Sequence, residues 1–212
     1  MNGKYRINSS QYSYFYGNQI HFPYSIATLA AYAMKDKEIT DSFSFEKIFL
    51  TRDKIEKDIE VCDNTDILLC SCYSWNWQIT NMLAKAVKEK NPDCLIVFGG
   101  PEVPGRHEKF FEKYPYIDIL VHNEGEITLH EILKEYKSTR NYGNILGIET
   151  KDYKNAPRPR IKDLDIIPSV YSTDIIWDLV EKRTDINYIA TWETNRGCPF
   201  SCTFCDWGRK II

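Results

Sequence analysis

Four short apolar runs, each followed by a longer stretch of helical period, leave this chain few architectures to choose from. The runs are Phe43–Leu50, Ile67–Cys70, Leu95–Phe98 and Ile117–Val121, with a weaker one ahead of them near Lys4–Asn8. Near-continuous apolar runs suit parallel strands covered on both faces. Between them lie helical stripes: Ile26, Leu29, Ala30 and Ala33, then Ile55, Ile59 and Cys62, then Ile79, Met82, Leu83, Ala86 and Val87. Phe110, Phe111 and Tyr114 make a shorter stripe, and Leu129, Ile132, Leu133 and Tyr136 close the series. Strand and helix alternating with short connections predict a doubly wound α/β sheet. Right-handed crossovers put helices on both faces. In such sheets ligands bind beyond the carboxyl ends of the strands.

Three loops occupy those ends. Ser71-Cys72-Tyr73-Ser74-Trp75-Asn76-Trp77 carries hydroxyls, an amide and two indoles just before a helix. Free N–H groups at the helix start accept phosphate or amide oxygens. The plainer reading makes Ser74 an N-cap and the tryptophans core. Gly99-Gly100-Pro101-Glu102 permits close backbone approach, to a ligand or within a turn. Glu124-Gly125-Glu126 places carboxylates in a first helical turn, where the helix dipole favours them with or without a ligand. Each loop alone is a weak signal, but three on one sheet edge point to one site.

The far end of the chain carries a different chemistry. Cys198, Cys202 and Cys205 follow the spacing C-x-x-x-C-x-x-C, bracketed by Gly197 and Pro199 and fed by a strand-like Tyr188–Trp192. Four thiolates suit tetrahedral zinc or a saturated iron–sulfur cluster. Three leave one iron of a [4Fe–4S] cluster open to a ligand that is not protein. A zinc knuckle or three unrelated thiols is the plainer alternative. The seven cysteines form an odd count, which indicates a reducing cytoplasm rather than a disulfide scaffold. Cys62 on a helical stripe and Cys70 in a strand read as small buried hydrophobes. Cys70, Cys72 and Cys94 do not make a convincing second cluster set. The net charge of −3 gives no footprint for nucleic acid. No apolar run approaches the ~20 residues of a membrane span.

The cysteine stretch resembles the radical S-adenosylmethionine enzymes. The resemblance implies that Cys198, Cys202 and Cys205 hold a [4Fe–4S] cluster, that the open iron binds S-adenosylmethionine, and that Phe204 lies near its adenine. The rest of the chain resembles the cobalamin-binding domain that precedes the barrel in the cobalamin-dependent branch. His21 through Ala31 looks like that family's first helix, and Ser71-x-Tyr73-x-Trp75-Asn76 like its first loop. Gly99-Gly100-Pro101-Glu102 and Glu124-Gly125-Glu126 look like its second and third, with Asn123 where the family has Gly. Asp163 through Ser169 looks like its interdomain linker. The implied organisation is a Rossmann-like, flavodoxin-like cobalamin-binding domain over 1–140, a linker over 141–186, and the opening strand and cluster loop of a barrel over 187–212.

By resemblance, Ser71, Tyr73, Trp75, Asn76, Gly99, Gly100, Pro101, Glu102, Glu124 and Gly125 are cofactor contacts. No Asp-x-His-x-x-Gly motif stands near His21, so the expected cobalamin has no histidine on its lower face. Tyr12, Tyr14, Phe15 and Tyr16 could cover that lower face or serve interdomain packing, and packing is the reading favoured; His107 and His130 are expected to be partly exposed on helices. The implied activity is methylation of an unactivated carbon: one S-adenosylmethionine charges the cobalt and another yields the radical. The implied partners are a small-molecule or peptide substrate and an electron donor such as flavodoxin or ferredoxin. A barrel needs on the order of 150–200 further residues, so the chain reads as one part of such an enzyme and is not expected to catalyse radical chemistry alone. Two other classes stay open: a non-catalytic corrinoid-binding module with a vestigial cysteine tail, and a plain nucleotide-binding or receiver-like domain.

Overall fold

In a computed structural model, residues 3–104, 109–172, 174–198, 200 and 202–204 are described. The main sheet has six strands: β1 (Tyr5–Ser10), β3 (Phe43–Phe49), β4 (Ile67–Ser71), β5 (Leu95–Gly99), β6 (Ile119–Val121) and β7 (Ile148–Glu149). Their order is β3-β1-β4-β5-β6-β7. All neighbours are parallel except β6 and β7, which are antiparallel. The chain leaves β1 toward one edge and returns past it to β4, so the sheet's switch point lies between β1 and β4. The doubly wound sheet expected from the sequence is present.

Alternation of side chains along the strands divides the interior. Ile67, Leu69, Val97, Ile119 and Val121 face α1 (Tyr24–Ala33) and α6 (Glu126–Lys137). Leu68, Cys70, Ile96, Phe98 and Leu120 face the opposite way, toward α4 (Trp77–Lys90) and α5 (Phe110–Lys113). α3 (Ile55–Val61) covers that second face beside α4. On α4 the buried positions are Thr80, Leu83, Ala84 and Val87, while Met82 is 61% exposed. The inward stripe keeps the helical spacing, but it includes Thr80 and leaves out Met82. β1 is hard to read because its buried residues include Asn8, Ser9 and Ser10; the Asn8 amide donates to Thr65 Oγ1 at 2.7 Å.

Two elements have no counterpart in the sequence reading. α2 (Lys37–Ser42) is a short helix capped by the Asp36 carboxylate, which accepts from Glu38 N. β2 (Gln19–His21) pairs in parallel with β8 (Asn187–Ile189), the strand that leads to the cysteine loop. The N-terminal region therefore lends a strand to the C-terminal one. β8 ends at Ile189, short of the Trp192 expected from the pattern, and Trp192 is 86% exposed. Residues 141–186 pack rather than dangle. β7 joins the sheet edge, and Ile145, Ile148, Val170 and Ile176 enter the core with α7 (Asp174–Leu179).

Candidate functional site

The carboxyl ends of β4, β5 and β6 open into a cavity of about 940 Å³ on the α1/α6 side of the sheet. Its floor is Leu69, Val97 and Val121. Its walls are Tyr24, Ser25 and Leu29 of α1 and Gly125, Glu126 and Leu129 of α6. Its roof is the segment from Thr191 to Cys198. Of the expected contacts, Ser71, Tyr73, Gly99, Gly100, Pro101, Glu124 and Gly125 line this cavity, and Cys198 reaches it from the other side.

The two glycines of the second loop differ. Gly100 has φ +108°, and a Cβ there would lie 2.5 Å from the Cys72 carbonyl oxygen and 2.9 Å from its nitrogen. Only glycine fits. The close approach that the sequence leaves open, ligand or turn, is made here to protein backbone. At Gly99 a Cβ would meet the Val121 Cβ at 3.6 Å, an ordinary contact. The residue therefore leaves the floor low without being forced to be glycine. Asn123, where the family has glycine, holds φ +63°. Asparagine is among the few residues that adopt this left-handed conformation readily.

Trp75, Asn76 and Glu102 do not border the cavity. Trp75 stacks on Tyr73, with ring centroids 4.4 Å apart, and is 47% exposed. Asn76 is fully buried and braces the loop from within: its Oδ1 accepts from Tyr73 N at 2.8 Å, and its Nδ2 donates to Ser71 O at 2.9 Å and Tyr12 O at 3.2 Å. Asn76, not Ser74, occupies the N-cap position of α4, and its side chain serves the loop instead of the helix. Trp77 packs against Phe98 and Tyr114 on the far face. The Tyr73 hydroxyl meets Ser25 Oγ at 2.7 Å, which ties the first loop to α1 across the mouth.

His21 lies on β2, exposed, edge-on to Tyr16 and away from the cavity. Tyr12 is buried on the α4 side. Tyr14, Phe15 and Tyr16 are exposed on this chain, with the Arg52 guanidinium over Tyr14 and that of Arg183 near Phe15. His130 is part-exposed and bonded to Asp36 Oδ2 at 2.8 Å. His107 falls outside the described residues. The thiols of Cys62, Cys70, Cys72 and Cys94 are buried, and burial pushes all four above the ordinary thiol range, those of Cys62 and Cys94 to about 12. They are inert packing atoms at neutral pH. Cys198 is half-buried, Cys202 exposed, and Phe204 91% exposed. Cys205 lies outside the described residues.

Sequence reasoning missed the electrostatics of the roof. The Arg196 Nη2 donates to Glu126 Oε1 at 2.6 Å, its Nε donates to Glu193 Oε2 at 2.9 Å, and its Nη1 lies 3.5 Å from Glu124 Oε1. Burial alone would lower the Arg196 pKa, but the Glu126 and Glu193 carboxylates outweigh it and hold the guanidinium firmly charged. Glu124 spends its other oxygen on the amide of Ile161, at 2.6 Å. The Tyr171 hydroxyl donates to Thr191 O and accepts from Thr191 N, fixing the near end of the roof. Two carboxylates beside a glycine give no hint that an arginine some seventy residues on will meet them.

Among the described residues no three His, Cys, Asp or Glu side chains are placed to hold a metal ion, which includes Cys70, Cys72 and Cys94. No described helix is long and apolar enough to cross a membrane.

The comparisons with known proteins agree on one family. The chain is 37% identical over 209 residues to the cobalamin-dependent radical SAM methyltransferase TokK of Streptomyces tokunonensis, covering 94% of this chain and 30% of that protein. It is 35% identical over 208 residues to the 2-(S-pantetheinyl)-carbapenam-3-carboxylate methyltransferase of Streptantibioticus cattleyicolor, covering 94% and 30%. The chain thus spans about 30% of the length of these relatives. The fold matches the radical S-adenosylmethionine methyltransferase TsrM of Kitasatospora setae, solved with cobalamin and a [4Fe–4S] cluster, at a TM-score of 0.53 and 15% identity over 73% of this chain and 29% of that one. The profile of the B12 binding domain matches residues 18–133, more than half of the chain, and the chain belongs to that family.

Proposed function

We propose that this chain is the cobalamin-binding part of a radical S-adenosylmethionine methyltransferase that acts on an unactivated carbon. The observation that carries the reading is that one cavity is walled by both halves of the motif set: the three strand-end loops below and the segment ending at Cys198 above. The residues suit a large amphipathic macrocycle with an amide periphery. Leu69, Val97, Val121 and Leu129 offer an apolar bed; Ser71 and Tyr73 offer hydroxyls, and Arg160 a cation at the edge. A volume of about 940 Å³ stands at the upper end of small-molecule sites.

Bound there, the corrinoid supplies a cobalt centre able to carry a methyl group. The chain's own contribution is binding and placement. Ser71, Tyr73 and the backbone of Gly99 to Pro101 would take the macrocycle's polar edge, and α1 with α6 would exclude water from its flank. Cys198, Cys202 and Cys205 would ligate a [4Fe–4S] cluster whose open iron takes S-adenosylmethionine, with Phe204 by the adenine. The same reading includes a cytoplasmic location, an electron donor of the flavodoxin or ferredoxin kind, and a small-molecule or peptide substrate.

Anaerobic titration of the chain with hydroxocobalamin, followed by absorbance and co-elution, tests the site. A stoichiometric spectral change is expected; none would remove the corrinoid reading. Iron and sulfide analysis after reconstitution, repeated with Cys198→Ala, tests the cluster assignment.

A further inference from the structure

The roof of the cavity is hinged at one end and fastened at the other. The hinge is Thr191, whose N–H and C=O both bond the Tyr171 hydroxyl. The fastening is Arg196, two residues before Cys198, which is the one strongly basic group among residues 191–198. Its side chain is 16% exposed and its partners are unequal. Glu193 belongs to the roof itself, so that pair stiffens the segment without attaching it to anything. Glu124 and Glu126 belong to the turn before α6 and its first residue, so these pairs cross from roof to wall.

The Glu126 side chain is 4% exposed, and its second oxygen, Oε2, is buried with no hydrogen-bond partner among the described residues. An unmet buried acceptor carries a desolvation penalty. That penalty offsets part of what the Arg196–Glu126 pair contributes to the fastened state. A bond of this kind holds a segment in place yet lets it go. Residues 191–198 line the same cavity as Leu69 and Val97, so a change in their position changes the space a macrocycle would fill.

We propose that Arg196 is a positioning residue that latches the segment from Thr191 to Cys198 to α6 through Glu126 and Glu124, so that cavity closure and placement of Cys198 are one event. The latch rests on the structure alone; its coupling to a corrinoid rests on the function proposed above. A ligand that gains contacts from the closed roof must, by linkage, favour the latched state, and breaking the latch must weaken its hold. Lost contacts of this kind act mostly on the dissociation rate.

The test uses the 212-residue chain with Arg196→Gln, Arg196→Lys and Glu126→Gln. Backbone hydrogen exchange over residues 187–198 is read by mass spectrometry, and hydroxocobalamin dissociation by stopped-flow absorbance. Arg196→Gln is expected to speed exchange across 191–198 at least tenfold while peptides from β4 and β5 stay as in the parent. Glu126→Gln should do the same to a lesser degree, and Arg196→Lys should recover part of the protection, since an ammonium reaches one carboxylate and not three. Hydroxocobalamin should leave the Arg196→Gln protein at least tenfold faster. Unchanged exchange across 191–198 in Arg196→Gln overturns the latch. Faster exchange with unchanged dissociation overturns the coupling. If the parent protein takes up no hydroxocobalamin, the corrinoid reading falls, and the exchange comparison still decides the latch.

Discussion

The same five parallel strands present two unlike faces. Toward α3, α4 and α5 the strand ends finish in Cys72, Phe98 and Leu120, and Trp77, Phe110 and Tyr114 close over them. Toward α1 and α6 the corresponding positions are Ser71, Gly99 and Val121, and the space above them stays open at about 940 Å³. The backbone is common to both faces, so the difference comes from side-chain size at the last residue or two of each strand. One face is a finished core; the other is a core whose top layer has been left out. A close-packed interior forfeits contact energy for every atom it lacks, so the open face is unfinished unless something fills it.

The sharpest way to break that contrast is at Gly100, where the two faces share a backbone contact. Gly100→Ala puts a methyl 2.5 Å from the Cys72 carbonyl at a φ that alanine avoids. Neither backbone can retreat, and a loss of about 3 kcal/mol is expected in urea unfolding. Next in size is Asn76→Ala. It strands Tyr73 N and the carbonyls of Ser71 and Tyr12 in a buried place. That costs about 2–3 kcal/mol and loosens the first loop, so hydroxocobalamin affinity should fall with stability although Asn76 does not border the cavity.

Asn76 also marks where the sequence stops being informative. Its type and place before a helix suit a ligand contact, a cap or a brace equally, and only the positions of Ser71 and Tyr12 decide among them. The central strands are legible because Leu-Ile-Val-Phe at 95–98 needs no partner to declare itself. The edges of the story are not. β2 is three residues long, with Gln19 and His21 exposed, and exists through its pairing with β8 some 168 positions later. The glycine pair at 99–100 is legible as a strand-end device, but the division of labour between its members depends on which neighbour stands 2.5 Å away and which 3.6 Å. Arg196 reads as the residue before a Gly-Cys-Pro loop until three carboxylates from two segments are brought to it.

The closed face offers a smaller, pH-dependent test. The Tyr12 hydroxyl donates to Asp58 Oδ2 at 2.8 Å beside the thiols. Burial raises the Asp58 carboxyl to about 6, against the pull of that hydrogen bond, while the Glu181 charge adds to the rise. The folded protein then holds this proton more tightly than the unfolded chain. Its contribution is full below about pH 4 and is lost as pH rises through about 6. The side chain is only partly buried, so solvent screening leaves about 1 kcal/mol of the effect. Asp58→Asn should flatten the stability profile between pH 4 and 6 and raise stability at pH 7 by about 1 kcal/mol. A profile parallel to the parent's would mean that the closed face is wetter at Asp58 than its packing indicates.

The smallest expected change in stability is also the most discriminating. Gly99→Ala adds a methyl to the floor of the open face, in ordinary contact with Val121. In a strand, alanine is slightly easier to order than glycine, so unfolding free energy should move by less than about 1 kcal/mol, in contrast to the loss at the adjacent Gly100. The methyl takes room from whatever fills the cavity, and hydroxocobalamin affinity should fall several-fold in a protein that is no less stable. Adjacent glycines would then separate the two functions of one loop: Gly100 keeps the closed side closed, and Gly99 keeps the open side open. A Gly99→Ala protein that binds as the parent does would place the ligand away from the floor, against α1 and the roof.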